Sequence, residues 1–141
     1  VLRTEDGGKT WKEVYRSGRK FELIWKASFA EGTDTGYATV QSYDPERATQ
    51  LVIRSDDKGK TWREIVMAED KTARQFGIGF VSKDVGFVGT MAGGFATRDG
   101  GKTWERAPIA RAANKFQAVP TEKGVRVYAI GTEVQAIDLP R

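Results

Sequence analysis

The sequence contains no cysteine and no histidine. These absences exclude a disulfide framework, a thiolate site, a zinc site and a catalytic cysteine–histidine pair. We therefore expect no metal site and no cofactor. A chain without cysteine fits either redox compartment and slightly favours a secreted or periplasmic location, so we expect an extracytoplasmic protein.

Long apolar runs are also lacking. None approaches the roughly 20 residues that a membrane-spanning helix needs, and no basic-then-apolar leader is present at the N-terminus. The chain opens on Val1 rather than on methionine, which fits a leader that has been removed. Lysine and arginine number 23 against 19 acidic residues. Because these bases are scattered, apart from the run at 16–20, and are not interleaved with aromatics, we expect no nucleic-acid binding.

An eight-residue motif occurs three times, at 4–11, 55–62 and 97–104. Each copy reads Ser/Thr-x-Asp-x-Gly-Lys-Thr-Trp, and the copies contain three of the four tryptophans of the chain. The candidate structural residues are Thr4, Asp6, Gly8, Thr10, Trp11, Ser55, Asp57, Gly59, Thr61, Trp62, Thr97, Asp99, Gly101, Thr103 and Trp104.

The repeat is longer than this motif. The motif tryptophans at 11, 62 and 104 are 51 and 42 residues apart, and aromatic segments starting at 25, 76 and 116 are 51 and 40 residues apart. Each unit divides into four short segments with period-two apolar alternation, which is typical of strands. The predicted units are 1–20 (partial), 21–67, 74–108 and 114–141 (partial).

Four antiparallel strands repeated every 40 to 50 residues predict an all-β chain built from β-propeller blades. Neighbouring blades bury each other's faces, so the aromatic residues of the first and second strands are predicted to form the core between blades. The chain holds about three to four blades. Thirteen predicted strands are too few to close a ring, so we expect a segment of a longer propeller, with a ring of several copies as the alternative.

The motif lies in the predicted hairpin between the third and fourth strands of each blade. Its glycines suit positive backbone angles, its aspartate can accept bonds from turn N–H groups, and its tryptophan is predicted to cover the hairpin as an apolar lid. A cation or sugar site is the alternative. Calcium takes six to eight oxygen ligands, however, and one aspartate per turn supplies few of them. A structural role is therefore favoured.

The motif resembles the Asp-box, or bacterial neuraminidase repeat. Sialidases, xyloglucanases, the sortilin family and the photosystem II assembly and stability factors carry it, and the whole pattern looks most like the last group and its bacterial relatives. The resemblance implies six or seven blades in total. It also implies that the boxes lie on the periphery, away from any substrate pocket.

A sialidase-like site would need three arginines for a carboxylate, a tyrosine–glutamate pair and an acidic residue. The expected Arg-Ile-Pro element is absent, Tyr37 is predicted to be core, and Arg54 is predicted to lie on the surface. We therefore predict no catalytic residue and favour a non-enzyme. The alternative is a glycoside hydrolase whose active site lies partly outside this segment. Candidates by residue type are Arg54, Arg74, Arg126, Tyr37, Tyr43, Glu22 and Asp44.

The favoured function is a non-enzymatic scaffold that binds proteins or assembles a complex, since propellers present rim loops suited to holding partners. A membrane-complex subunit is the partner that the resemblance implies. A basic rim could receive an acidic partner segment. The candidate partner-binding residues are Arg16, Arg19, Lys20, Tyr43 and Arg47.

Overall fold

The computed structural model describes residues 1–140, which form thirteen β-strands and no helix. The prediction of an all-β chain is confirmed. The strands are β1 (Leu2–Arg3), β2 (Lys12–Glu13), β3 (Glu22–Phe29), β4 (Gly36–Ser42), β5 (Thr49–Ser55), β6 (Arg63–Glu69), β7 (Gln75–Phe80), β8 (Gly86–Thr90), β9 (Gly93–Thr97), β10 (Glu105–Ala107), β11 (Lys115–Thr121), β12 (Gly124–Ile130) and β13 (Val134–Pro140).

Consecutive strands pair antiparallel into four sheets within residues 1–140. The first sheet is β1-β2, the second β3-β4-β5-β6, the third β7-β8-β9-β10 and the fourth β11-β12-β13. Short hairpins join the strands because antiparallel neighbours need only a tight connection. The last predicted unit ends at Arg141, which lies outside the described residues.

The second and third sheets pack face to face around a continuous apolar core. Tyr37 of β4 is fully buried and stacks on Phe80 of β7, with ring centroids 3.5 Å apart and planes 2° apart. Val52 and Val88 are buried in the same cluster. Each sheet thus covers an apolar face that its neighbour would otherwise expose to water.

The third and fourth sheets share a second core, which includes Phe87, Ile109 and Val127. Here the segment that joins the two sheets lies very close to β8. A Cβ added at Gly89 would overlap the carbonyl oxygen of Ala113, so only glycine allows this approach. The sheets therefore follow one another in chain order, each packed on the next.

The predicted burial of the first-strand aromatics is wrong for Phe29, which is about half exposed. Phe29 occupies the place in the second sheet that Phe80 occupies in the third. Phe80 is covered by Tyr37 of the preceding sheet. The sheet that precedes Phe29 consists, in the described residues, of β1 and β2 alone. Phe29 is exposed because no ring equivalent to Tyr37 covers it within 1–140.

The same prediction is wrong for Trp25, which is also about half exposed. Trp25 lies in an irregular stretch of β3, where the pairing with β4 shifts register between Ile24 and Ala27. Its ring meets Phe76 of the third sheet only edge-on, with centroids 5.9 Å apart. Trp25 is therefore covered only partly by the neighbouring sheet.

Candidate functional site

The third motif copy shows how the repeated hairpin is held together. Asp99 Oδ1 accepts bonds from the backbone N–H of Thr103 at 2.9 Å and from the Thr97 hydroxyl at 2.9 Å. Asp99 Oδ2 accepts a bond from the Thr103 hydroxyl at 2.7 Å. The Thr97 oxygen in turn accepts the N–H of Gly101 at 2.9 Å, and Trp104 Nε1 donates to the Gly101 carbonyl at 3.1 Å. All of these donors and acceptors lie within the same eight residues, so the hairpin is held by its own hydrogen bonds.

The other two copies repeat these bonds with nearly the same distances. In the second copy, Thr61 N–H and hydroxyl donate to Asp57 at 2.9 and 2.7 Å, and Gly59 N–H donates to the Ser55 hydroxyl at 2.8 Å. The first copy contains the corresponding bonds among Thr4, Asp6, Gly8 and Thr10, and the indole bonds of Trp11 and Trp62 run to the carbonyls of Gly8 and Gly59.

The turn residues adopt the left-handed backbone that the glycine pattern indicates. Gly100 has φ 73° and Gly101 has φ 84°. In the second copy the first of these positions is Lys58, with φ 60°, so a lysine tolerates the conformation that glycine takes elsewhere. The turn geometry is therefore common to the copies even where the residue is not.

This geometry leaves little for a ligand at the motif. Both carboxylate oxygens of Asp99 accept bonds from donors of its own hairpin. In the part of the chain that the structure describes, no group of three or more Asp, Glu, His or Cys side chains is placed to hold a metal ion. The arrangement stabilises the hairpin, and three of the roughly four acceptor sites of the Asp99 carboxylate are used within it.

The hydroxyl of Thr103, followed by its backbone N–H, lowers the pKa of Asp99 from 3.8 to about 2, and the partner threonines do the same for Asp6 and Asp57. A lowered folded-state pKa means that the carboxylate stabilises the fold above pH 3.8 and loses that contribution as the pH falls towards 2.

We expect the melting temperature to drop across this window. Replacing all three aspartates with asparagine should lower the melting temperature at neutral pH and flatten its fall below pH 3.8. An equally steep fall in that variant would contradict the assignment.

The motif tryptophans are buried to different degrees. Trp104 packs against the core cluster shared by the second and third sheets and lies edge-on to Phe80, with centroids 6.3 Å apart. Trp62 is likewise edge-on to Phe29 at 6.0 Å. Trp11 lies over its own hairpin, as predicted, and donates from Nε1 to the Gly8 carbonyl at 3.1 Å. Its ring is nevertheless 59% exposed, because within residues 1–140 no sheet precedes the first one and covers it.

Arg54 also differs from its prediction as a surface residue. Its side chain is only 14% exposed and its guanidinium lies 5.3 Å from the ring centre of Tyr37. Nη1 donates to the carbonyl of Gly100 in the next sheet at 2.8 Å, while Asp56 accepts from Nη2 at 2.6 Å. Arg54 is a bridge between sheets, which its position in the sequence did not reveal.

The predicted basic rim is largely neutralised by neighbouring carboxylates. Arg16 pairs with Glu13 at 2.5 Å. Arg19 pairs with Glu22 and Glu64, each at 2.7 Å, and its bonds lower the pKa of Glu64. Arg47 also pairs with Glu22, at 3.7 Å. Lys20 is exposed. Since the arginine charges are already paired, the acidic partner segment expected from the sequence has less to bind here.

A different group of exposed side chains lies at one end of the strands in the second and third sheets, before β3 and β7 and after β4 and β8. Phe21 is 69% exposed, and Tyr43 and Met91 are each about half exposed. The Tyr43 N–H donates to the Phe21 carbonyl at 2.8 Å, and the Met91 N–H donates to the Arg74 carbonyl at 2.9 Å. The Arg74 guanidinium lies 5.9 Å from the Tyr43 ring centre and joins the two sheets. We call Phe21, Tyr43, Arg74 and Met91 the rim surface.

Sequence reasoning found only Tyr43 of this surface as a binding candidate. Phe21 is the first residue of the predicted unit 21–67, yet it precedes β3 and has φ 61°. A bulky residue in this backbone region is uncommon and is held there by its surroundings. No sequence pattern signals this conformation, and the proximity of Tyr43 to Arg74 depends on how two sheets pack.

The arginines considered for a carboxylate site lie in different parts of the fold. Arg54 lies at the motif end of the second sheet, and Arg74 lies at the opposite edge, on the rim surface. Arg126 pairs with Asp138 in the fourth sheet at 2.7 Å. The Tyr37 hydroxyl is inside the core and donates to the Lys83 carbonyl at 2.7 Å. These residues do not form one site.

Residues 95–106 match the family model described as BNR/Asp-box repeat. No curated protein matches the sequence significantly. A solved structure titled "YCF48 bound to D1 peptide" matches with a TM-score of 0.63 and 17% sequence identity, over 97% of this chain and 44% of that chain. The predicted Asp-box repeat and the predicted β-propeller fold are confirmed. The four sheets are its blades, and they form part of a propeller.

This chain spans less than half the length of the matched structure. The described residues contain no helix that is long and apolar enough to cross a membrane.

Proposed function

We propose that this Asp-box propeller segment is a non-enzymatic, extracytoplasmic scaffold that binds a protein partner during the assembly of a complex. The observation that carries the proposal is the rim surface, where Phe21, Tyr43 and Met91 are exposed and the Arg74 guanidinium lies 5.9 Å from the Tyr43 ring centre. A surface of this composition differs from the paired charges that surround the neighbouring Arg19.

The residue types of the rim surface suit a binding site. Phenylalanine, tyrosine, methionine and arginine are enriched at the centres of protein interfaces, and aromatic and arginine anchors provide much of the binding energy. Arg74 is held over Tyr43, so part of its ordering cost is met before a partner arrives. Phe21 is displayed by a constrained backbone, which presents its ring in a defined direction.

The matched structure supports a peptide segment of a larger protein as the kind of partner, because its title describes YCF48 with a bound D1 peptide. We extend this to a subunit of a membrane complex for the present chain. The extracytoplasmic location is proposed from the cysteine-free composition and the family resemblance. The rim arginines that pair internally, Arg16, Arg19 and Arg47, are assigned a supporting role beside the rim surface.

The test is capture of a partner from solubilised native membranes, followed by titration of the identified and purified partner. The triple variant Phe21→Ala, Tyr43→Ala, Met91→Ala should bind it at least about 30-fold more weakly, as expected for loss of an interface centre worth 2 kcal/mol or more. A control variant, Val66→Ala with Val134→Ala, removes exposed apolar side chains elsewhere and should bind normally. Unchanged binding by the triple variant would refute the rim surface as the site.

A further inference from the structure

An arginine bridge joins the second blade to the third at the Asp-boxes. Arg54 stands immediately before the second box, and its Nη1 donates to the carbonyl of Gly100, the fourth residue of the third box, at 2.8 Å. Asp56, the second residue of Arg54's own box, pairs with the same guanidinium. A Cβ added at Gly100 would overlap Arg54 Nη1, so the guanidinium fills the space beside this glycine.

The same bridge joins the first blade to the second. Arg3 stands immediately before the first box and donates from Nε to the carbonyl of Lys58 at 3.2 Å. Lys58 is the fourth residue of the second box, as Gly100 is of the third. Glu5, the second residue of the first box, pairs with Arg3. The bridge is therefore a repeated feature with three parts: an arginine, an acid two residues later, and a box carbonyl in the next blade.

The third box departs from this pattern in both side chains. Ala96 takes the place of the arginine and Arg98 takes the place of the acid. The blade that follows, formed by β11, β12 and β13, has no box in its described residues. The arginine is thus present at the two junctions where the next blade offers a box carbonyl and is replaced at the junction where the next blade offers none.

The first box presents the acceptor side of such a junction, and no arginine from residues 1–140 lies against it. Gly7 is its fourth residue, and a Cβ added there would meet no atom within 4 Å, in contrast to Gly100. Leu2, two residues before this box, is 60% exposed, whereas its equivalents Ile53 and Phe95 are 0% and 5% exposed.

The equivalents of Leu2 are buried because they lie in junctions between blades. Ile53 packs in the cluster that includes Val1 and Tyr15 of the first blade, and Phe95 packs in the cluster of Tyr37 and Phe80. Trp11 shows the same contrast with Trp104, which packs against the cluster that contains Tyr37 and Val52 of the preceding blade. The exposed face of the first blade therefore has the residues of a junction.

We propose that this face, defined by Leu2, Gly7 and Trp11, binds a further Asp-box blade of the same propeller whose box is preceded by arginine. The arginine donates to the Gly7 carbonyl, and an aspartate or glutamate two residues after it holds the guanidinium in place. The occupying blade thus reads Arg-Ser/Thr-Asp/Glu-Asp at the start of its box.

A second copy of this chain does not fit the same role. Arg3 and Arg54 are the two arginines that precede boxes, and both already donate to the next blade of their own chain. The proposal rests on the fold and on the repeated bridge rather than on the rim surface, so it and the proposed function can fail separately.

The first test uses the 141-residue protein as it is. Arg54→Ala should lower the melting temperature by several degrees and increase acrylamide quenching of tryptophan fluorescence at least two-fold, because the packing of Trp104 at the junction loosens. Lys26→Ala, at an exposed basic residue of the same blade that takes no part in the bridge, should leave both unchanged. Equal behaviour of the two variants would show that the bridge does not hold the junction and would overturn the proposal.

The second test supplies the missing partner from the chain's own repeats. A second copy of residues 15–93 placed ahead of Val1 provides a blade with Arg54 in front of its box and the two inner strands for the first blade. Because the protein has no cysteine, Leu2→Cys gives a single thiol whose reaction with a disulfide reagent reports exposure. The thiol should react at least ten-fold more slowly in the extended protein than in the 141-residue protein.

Arg54→Ala in the added copy alone should restore much of this reactivity, and Lys26→Ala in the added copy should not. An extended protein whose circular dichroism shows the added strands but whose Leu2→Cys thiol reacts at the original rate would overturn the proposal. Protection that is insensitive to the added arginine would overturn the arginine requirement.

Discussion

Replacing Trp104 with alanine is expected to reduce the free energy of unfolding by about 3–5 kcal/mol, as for a large aromatic residue lost from a core. Trp104 packs against the core cluster of the second and third blades, lies edge-on to Phe80 and donates from its indole to the Gly101 carbonyl at 3.1 Å. The substitution therefore opens the junction between two blades and removes one bond of the third box. Urea denaturation followed by circular dichroism measures the loss.

Trp11→Ala is the matched control, because Trp11 has the same place in its box and makes the same indole bond, to Gly8 at 3.1 Å. Its ring is 59% exposed and lacks the cover of a preceding blade. We expect a loss below about 1 kcal/mol, in the range of surface substitutions. Similar losses for the two variants would mean that the indole bond, and not packing between blades, accounts for the tryptophan's contribution.

Replacing Tyr37 with alanine should cost about 3–5 kcal/mol of unfolding free energy, again by emptying a core site. Tyr37 is fully buried and stacks on Phe80 across the junction of the second and third blades. The remaining cavity would lie beneath the Arg54 guanidinium, which is 5.3 Å from the Tyr37 ring centre. The loss is measured by denaturation in urea at neutral pH.

Tyr37→Phe separates the ring from its hydroxyl group. The hydroxyl donates to the Lys83 carbonyl at 2.7 Å, and its removal leaves that carbonyl without this partner, at a cost of about 1–3 kcal/mol. The stacked ring is retained, so this variant should be clearly more stable than Tyr37→Ala. If Tyr37→Phe were as unstable as Tyr37→Ala, the stability would depend on the hydroxyl bond and not on the stacked rings.

The hairpin at each box was predictable because its interactions are local. Asp99, Thr97 and Thr103 lie within seven residues, and their side-chain chemistry leaves few alternatives to the observed bonds. The order of the strands was predictable for a related reason, since two independent aromatic patterns kept nearly the same period along the chain. The all-β propeller architecture follows from these two regularities.

The burial of particular side chains was not predictable from the same regularities. Phe29 and Phe80 occupy equivalent places, yet they differ in exposure because only one has a complete blade beside it. Arg54 looks like a surface residue in the sequence because its acceptor, the Gly100 carbonyl, is 46 positions away. The left-handed backbone at Phe21 has no local signal. Contacts between blades decide all three.

The hydrogen bonds of each Asp-box form within one hairpin, whereas the arginine bridge joins hairpins of two adjacent blades. A hairpin moved to another blade would therefore keep its own bonds. An arginine in front of a box forms its bond only where the adjoining blade supplies a box carbonyl, as it does for Arg3 and Arg54.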